Sequence, residues 1–189
     1  ASANNRPRLD DRNPYLGIDW LDGYRFARIL EVLEARSDWN VNDLLKLQMD
    51  DQSLPWRELR ELVLSTQTSD KDVIQALSLL EEWDGKVSAT APAATVFEFF
   101  LAEMIRRVSK AKAPLTWKWA LGKGVSPVYP RSQLATRRVG HLVRVLREQP
   151  TGWLQKPWQE EIENSLGTAV KTLRKEYGPN VSDWGWGQV

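Results

Sequence analysis

Two groups near the start of the chain have the residue types for chemistry: the run Asn4-Asn5-Arg6-Pro7, and Arg25 about twenty residues on. An asparagine amide offers fixed N–H dipoles to developing negative charge and has no proton to lose. An arginine can fork hydrogen bonds to several acceptors and stays charged when partly buried. Packing alone does not require Asn-Asn-Arg-Pro at this place, so the segment indicates side chains directed into a site.

Ordinary roles compete with this interpretation. Asparagine pairs before proline are common turn residues that bond their own backbone, and Arg25 taken alone fits a surface or salt-bridged helix residue. Arg28 lies nearly a full helical turn further on and is the alternative if the register of the match slips. The only histidine, His141, has no matched partner for a triad or a zinc site, and we expect it to pack or to face solvent.

Helices must position these groups, because apolar residues recur at helical spacing along most of the chain. Residues 1–21 are predicted to be an extended or loop segment, with Pro7 and Pro14 excluding regular helix. Asp22 is the predicted cap of a first helix with Phe26 and Ile29 on its apolar face. Later helices are predicted to begin near Val41 (capped by Asn40 or Asn42), at Pro55, after Ser69 or Asp70, at Pro92, after Ser132 and at Pro157.

The segment from Ala93 to Val108 has the widest apolar face and is the predicted central helix. The helix after Ser69 or Asp70 is predicted to turn Val73, Ile74, Leu77 and Leu80 inward. Residues 109–131 are predicted to be an irregular connection, and the tail from Trp184 to be too short and glycine-rich for a stable element. The fold class is therefore a single all-α domain of about six or seven helices over residues 22–189.

Composition narrows the function classes. The 189 residues carry a formal charge of +1 with basic and acidic residues interspersed, which argues against a nucleic-acid or membrane partner. There is no cysteine, so no disulfide or cysteine-ligated metal is expected. Ten tryptophans are unusual; we expect packing units rather than a stacking platform for carbohydrate.

Several short motifs together resemble the penicillin acylase (penicillin amidase) family of N-terminal nucleophile hydrolases. Each motif alone is weak, but their order and spacing are specific. They are Asn4-Asn5-Arg6-Pro7, the helix start Asp22 to Ile29, Leu47-Gln48-Met49-Asp50 with Ser53, Leu79 to Gly85, Leu173 to Gly178, and Val181-Ser182-Asp183-Trp184.

The resemblance implies a role for each candidate residue. In this family an amino-terminal serine, freed by self-cleavage of a precursor, attacks an amide carbonyl with its own α-amine as base. Backbone N–H groups and an asparagine amide hold the oxyanion, and that asparagine matches Asn4. An arginine that orients the polar groups of the site matches Arg25.

The resemblance also implies that the chain is part of a larger enzyme. The nucleophile-bearing sandwich of two β-sheets has no counterpart in this sequence, and Ser2 is not the first residue and so lacks an adjacent free amine. We therefore expect an inactive isolated chain whose partners are the rest of the parent acylase, including its α subunit, and a small acyl amide substrate. A periplasmic or secreted parent is expected as well.

Two questions stay open at the level of sequence. Calcium is possible in the full-length parent, but the candidates Asp10, Asp11, Asp19 and Asp22 do not align securely, so no metal or other cofactor is assigned to this chain. The alternative function is a stand-alone helical interaction module that docks through its tryptophans.

Overall fold

The computed structural model describes residues 3–6, 20–124, 126–131 and 137–189. These ranges contain isolated β-bridges but no strand. They contain eight α-helices, which are α1 (Tyr24–Glu34), α2 (Val41–Gln48), α3 (Leu54–Leu64), α4 (Lys71–Glu81), α5 (Pro92–Lys112), α6 (Trp117–Ala120), α7 (Val139–Glu148) and α8 (Trp158–Tyr177). The all-α prediction is confirmed, and the additional helix is the four-residue α6, inside the connection that was expected to be irregular.

Side-chain caps explain where several helices begin. The side chain of Asn40 accepts from the N–H of Asp43 at the start of α2. Asp70 does the same at α4, accepting from the N–H groups of the second and third helical residues. Both satisfy backbone donors that have no partner inside the helix.

The predicted cap of α1 is wrong by one residue. Gly23 occupies the cap position without a side-chain bond, and Asp22 only accepts a long contact of 3.4 Å from the N–H of Tyr24. Ser132, the predicted cap of the next-to-last helix, lies outside the described residues, and α7 begins at Val139.

The core is built around α5, which packs against α4, α7 and α8. Its side chains Phe97, Phe100 and Met104 are completely buried, as expected for the central helix. Trp56 and Trp83 lie on Phe97 with ring centroids 5.2–5.6 Å apart, which joins α3 and the end of α4 to α5. The helix runs on to Lys112, four residues past the predicted end.

The C-terminal tail is ordered, contrary to prediction. It forms two short 3-10 turns, Val181–Trp184 and Trp186–Gln188. Trp184 is fully buried, its indole N–H donates to the carbonyl of Gly178 at 2.9 Å, and its carbonyl accepts from the hydroxyl of Thr95 at 2.6 Å. Gly187 donates to the carbonyl of Ala89 at 2.8 Å; a Cβ there would lie 2.9 Å from that residue's Cβ. Glycine therefore permits the close approach that locks the tail in place.

Most tryptophans serve packing, as expected. Trp56, Trp83, Trp158 and Trp184 are buried, and only Trp119 and Trp186 are more than a third exposed. His141 is on the exposed side of α7, with its Nδ1 3.2 Å from a guanidinium nitrogen of Arg144.

Some predicted core positions are wrong. Ile74 is 50% exposed because the other face of α4 packs against α5 and α8. Neither α1 nor α2 contains a buried residue, and Leu44 and Leu45 are exposed. Within the described ranges, none of the helices combines the length and hydropathy needed to cross a bilayer.

We predict that Trp184→Ala lowers the free energy of unfolding by about 3–5 kcal/mol, because it leaves a cavity under the tail and removes the indole N–H bond to the carbonyl of Gly178. Urea unfolding of the 189-residue chain measures this. Trp186→Ala is the matched control, since that ring is 40% exposed, and it should cost less than about 1 kcal/mol. Equal losses would contradict the assigned anchor.

Candidate functional site

The backbone holds Asn4 in a rare conformation. Its φ is 60°, in the left-handed region that asparagine tolerates better than most residues. The carbonyl of Asn4 accepts from the N–H of Leu21 at 3.0 Å, and Asn5 and Leu21 form a parallel bridge. Ala3 on one side is buried while Asn4 is exposed. The start of the chain is thus fixed beside the residues that lead into α1.

The two neighbouring asparagines are used differently. The amide of Asn5 accepts from the N–H of Ala3 and donates to the carbonyl of Arg6, each at 3.1 Å, which is ordinary turn chemistry. The amide nitrogen of Asn4 donates to none of the described residues. The turn role therefore belongs to Asn5, and among the described residues the amide donor of Asn4 has no acceptor.

Arg25 faces the other end of the Asn4 amide. Its Nη1 donates to Oδ1 of Asn4 over 3.4 Å, the long end of the hydrogen-bonding range. This contact orients the amide, because an oxygen turned toward the guanidinium leaves Nδ2 to donate elsewhere. The structure brings together the two site residues that the sequence singled out, 21 positions apart.

Arg28, the alternative to Arg25, is occupied elsewhere. Its Nε and Nη2 donate to the two carboxylate oxygens of Asp50 at 2.9 and 2.7 Å, and its Nη1 donates to Glu31 at 2.9 Å. Glu31 also accepts from Arg57 on α3 at 2.9 Å. This network ties α1 to the end of α2 and to α3. The Arg28 guanidinium lowers the pKa of the Asp50 carboxyl.

Behind Arg25 an open groove of about 680 Å³ separates α1 from α2 and the start of α3. We call it the α1–α2 groove. Its walls are mostly apolar, with charged residues at the edge, and its lining comprises Tyr24, Arg25, Arg28, Ile29, Leu33, Leu44, Leu47, Gln48, Asp50, Gln52, Leu54 and Pro55. The uncovered apolar faces of α1 and α2 therefore line a cavity next to the Asn4–Arg25 pair.

Tyr24 forms the inner corner of this groove. Burial, followed by the negative charge of Glu58 and a hydrogen bond to it, raises the pKa of Tyr24 well above the ordinary value. The phenol is therefore neutral at physiological pH. Glu58 also pairs with Arg147 of α7 at 2.7 Å, so the corner is anchored to the helical body.

The described residues do not gather a metal site. No group of three or more histidine or acidic residues in those ranges could hold an ion. Asp10, Asp11 and Asp19, the other calcium candidates, lie outside them together with Ser2. Asp22 is described, and its carboxylate accepts the N–H of Tyr24.

Sequence reasoning missed the contribution of Asp50 and the groove. Asp50 pairs with a residue 22 positions away, and no local spacing indicates such a partner. The leucines of α2 fit a buried helix face equally well, so the sequence alone does not show that no other element covers them.

These features define a class of domain: a helical body that carries a polar asparagine–arginine pair beside an apolar groove. Residues 1–189 match the family model described as penicillin amidase, and the chain therefore belongs to the penicillin amidase family.

Two relatives give the extent of the likeness. The penicillin acylase 2 proenzyme of Pseudomonas sp. (strain SE83) is 27% identical over 193 aligned positions, which cover 100% of this chain and 23% of that protein. A thermostable penicillin G acylase from Alcaligenes faecalis has the same fold, with a TM-score of 0.65 at 19% identity over 97% of this chain and 37% of that chain. This chain thus spans a quarter to somewhat over a third of the length of these relatives.

The lowered pKa of Asp50 predicts how stability depends on pH. A depressed carboxyl pKa stabilises the fold above the ordinary value of 3.8, and the contribution is lost as the pH falls through the folded value. Asp50→Asn should therefore cost about 1 kcal/mol of unfolding free energy near neutral pH, and the difference should shrink below pH 3.8.

Urea unfolding of both proteins between pH 2.5 and 7 measures this difference. Asp51→Asn is the matched control, because the Asp51 side chain is exposed and makes no ion pair in the described part of the chain. A loss for Asp50→Asn that stays constant over the whole pH range would contradict the assignment.

Proposed function

We propose that this chain is the helical part of the catalytic subunit of a penicillin-amidase-like enzyme that hydrolyses N-acyl amides. One observation carries the proposal: Asn4 lies in a fixed backbone with its amide oxygen turned toward Arg25, and its amide nitrogen donates to none of the residues that the structure describes. Membership of the penicillin amidase family supports it, and so does the small share of its relatives that the chain covers.

In the proposed reaction a nucleophile from the remaining polypeptide attacks the substrate carbonyl. Negative charge then develops on the carbonyl oxygen, and Nδ2 of Asn4 donates a hydrogen bond to it. A neutral amide suits this task because its dipole is already oriented and no reorganisation is needed as charge appears. Arg25 acts as a positioning residue that holds the amide oxygen away from the oxyanion.

The α1–α2 groove is the proposed place for the apolar acyl group. It begins at Arg25, beside Asn4, and its leucine and isoleucine walls leave space for a side chain of moderate size. Two of the charged residues in its lining, Arg28 and Asp50, pair with each other. The acyl side chain of a β-lactam or the acyl chain of a homoserine lactone has the required character.

The setting of the enzyme is part of the proposal. The parent would be a self-processed precursor, exported to the periplasm or secreted, and its α subunit and sandwich would complete the cleft. Calcium, if the parent uses it, would need oxygen ligands beyond those gathered in the described residues.

The test is Asn4→Gly in the longer enzyme. Glycine keeps the positive φ without strain, whereas alanine there would add a backbone cost. We expect kcat to fall on the order of 10²–10³-fold, the usual cost of one oxyanion donor. Titration with a covalent serine reagent counts the processed nucleophiles, so that turnover is expressed per active site.

Asn42→Ala is the matched control, because Asn42 is exposed on α2 and makes no hydrogen bond among the described residues. If the kcat per titrated active site of Asn4→Gly is within about twofold of that of the unmodified enzyme, the proposed role of Asn4 is wrong. The 189-residue chain alone should not hydrolyse a chromogenic phenylacetyl amide, and measured hydrolysis would show that its own residues supply a nucleophile.

A further inference from the structure

Charge is segregated along this chain, although the total is only +1. Residues 104–147 contain eleven lysines and arginines and no aspartate or glutamate. The rest of the chain contains the other fifteen of the 26 lysines and arginines and all 25 aspartates and glutamates. The interspersed pattern expected from overall composition is therefore wrong for this stretch.

Only part of this positive charge is neutralised within the fold. Arg106 and Arg107 pair with Glu103, Arg107 also reaches Glu161, and Arg147 pairs with Glu58. Six further cations have no carboxylate within ion-pair distance among the described residues: Lys110, Lys112, Lys118, Lys123, Arg131 and Arg144. Lys112 and Lys118 lie over the rings of Trp153 and Trp117 instead.

Apolar side chains project from the same stretch at two convex turns. Leu115, between α5 and α6, is 94% exposed, and Val128 in the next loop is also 94% exposed. Tyr129 and Trp119 are half exposed. Cations flank each turn, Lys112 and Lys118 around the first and Lys123 and Arg131 around the second. We call this set, Leu115, Trp119, Val128 and Tyr129 with the flanking cations, the basic–apolar turns.

The second turn has a defined shape. Lys123 and Arg131 form an antiparallel bridge, and the N–H of Gly124 donates to the carbonyl of Pro130 at 2.8 Å. A Cβ at Gly124 would lie 1.7 Å from the carbonyl oxygen of Tyr129, so glycine is required for the loop to close. Val128 therefore lies two residues from a backbone contact that joins Gly124 to Pro130.

We propose that the basic–apolar turns bind the surface of a membrane that contains anionic lipid. Cations beside protruding leucine, valine and tryptophan match a headgroup layer above an acyl boundary, where the cations meet phosphate and the apolar tips enter the boundary. A single-stranded nucleic acid could stack on Trp119 and Tyr129, but it would give no partner to Leu115 and Val128, which are far more exposed. An acidic protein would need preformed pockets for two convex tips, whereas a lipid layer deforms around them.

This inference does not depend on the proposed hydrolase role, because it uses neither Asn4 nor Arg25. It replaces the expectation of no membrane partner, which rested on the overall charge. Binding would be peripheral and would weaken as salt screens the cations.

The test is sedimentation of the 189-residue chain with vesicles of phosphatidylcholine alone or with 30% phosphatidylglycerol, about a third of the lipid. We expect binding only to the anionic vesicles. The double variant Leu115→Ser/Val128→Ser should lower the association constant about tenfold or more, since both apolar tips are lost. Lys118→Gln/Lys123→Gln should lower it about fivefold for each cation removed.

Matched controls come from α2. Leu45→Ser/Met49→Ser removes exposed apolar side chains of α2 and its C-terminal cap, and Lys46→Gln removes an exposed lysine there; neither should change vesicle binding. Circular dichroism checks that each variant is folded. No binding to anionic vesicles, or equal binding after loss of both apolar tips, overturns the proposal. So does a preference for single-stranded DNA over the vesicles.

Discussion

The conformation of one residue, Asn4, is the constraint on which the proposed site depends. Asn4 has a φ of 60° and an exposed side chain, so its amide stays in place because the backbone around it is fixed. The hydrogen bond from the N–H of Leu21 to the carbonyl of Asn4 fixes that backbone. The long contact to Arg25 would be weak on its own, yet it decides which end of the amide is free. The backbone therefore positions Asn4, and the arginine sets its direction.

The helical body explains why this arrangement can persist. The buried face of α5 and the locked tail give a rigid base, while α1 and α2 lie at its edge with no buried residue of their own. Polar contacts hold these helices where few apolar side chains are buried. Arg28 of α1 pairs with Asp50 and Glu31. Glu58 is hydrogen-bonded to Tyr24 and forms an ion pair with Arg147. Such a region keeps its shape but leaves its apolar faces open, which suits a groove that a substrate or a covering chain must enter.

Sequence predicted the parts of the fold that local rules control. Helical periodicity located the central helix, and the caps at Asn40 and Asp70 were among the candidates named. It failed where distant contacts decide. Trp184 is ordered by Thr95 and Gly178, and Ile74 is exposed because its neighbours on α4 take the buried face. Asn4 and Arg25 were chosen through family resemblance, whereas the use of Asn5 as the turn residue and the pairing of Arg28 with Asp50 became visible only in three dimensions.

The most direct measurement of the central claim is a double-mutant cycle on turnover in the longer enzyme, with Asn4→Gly, Arg25→Met and both changes together. If Arg25 acts through the amide of Asn4, its loss should matter only while that amide is present. The double variant should then be within about twofold of Asn4→Gly in kcat. Penalties that multiply in the double variant would contradict the account, because they would show that Arg25 acts independently of Asn4.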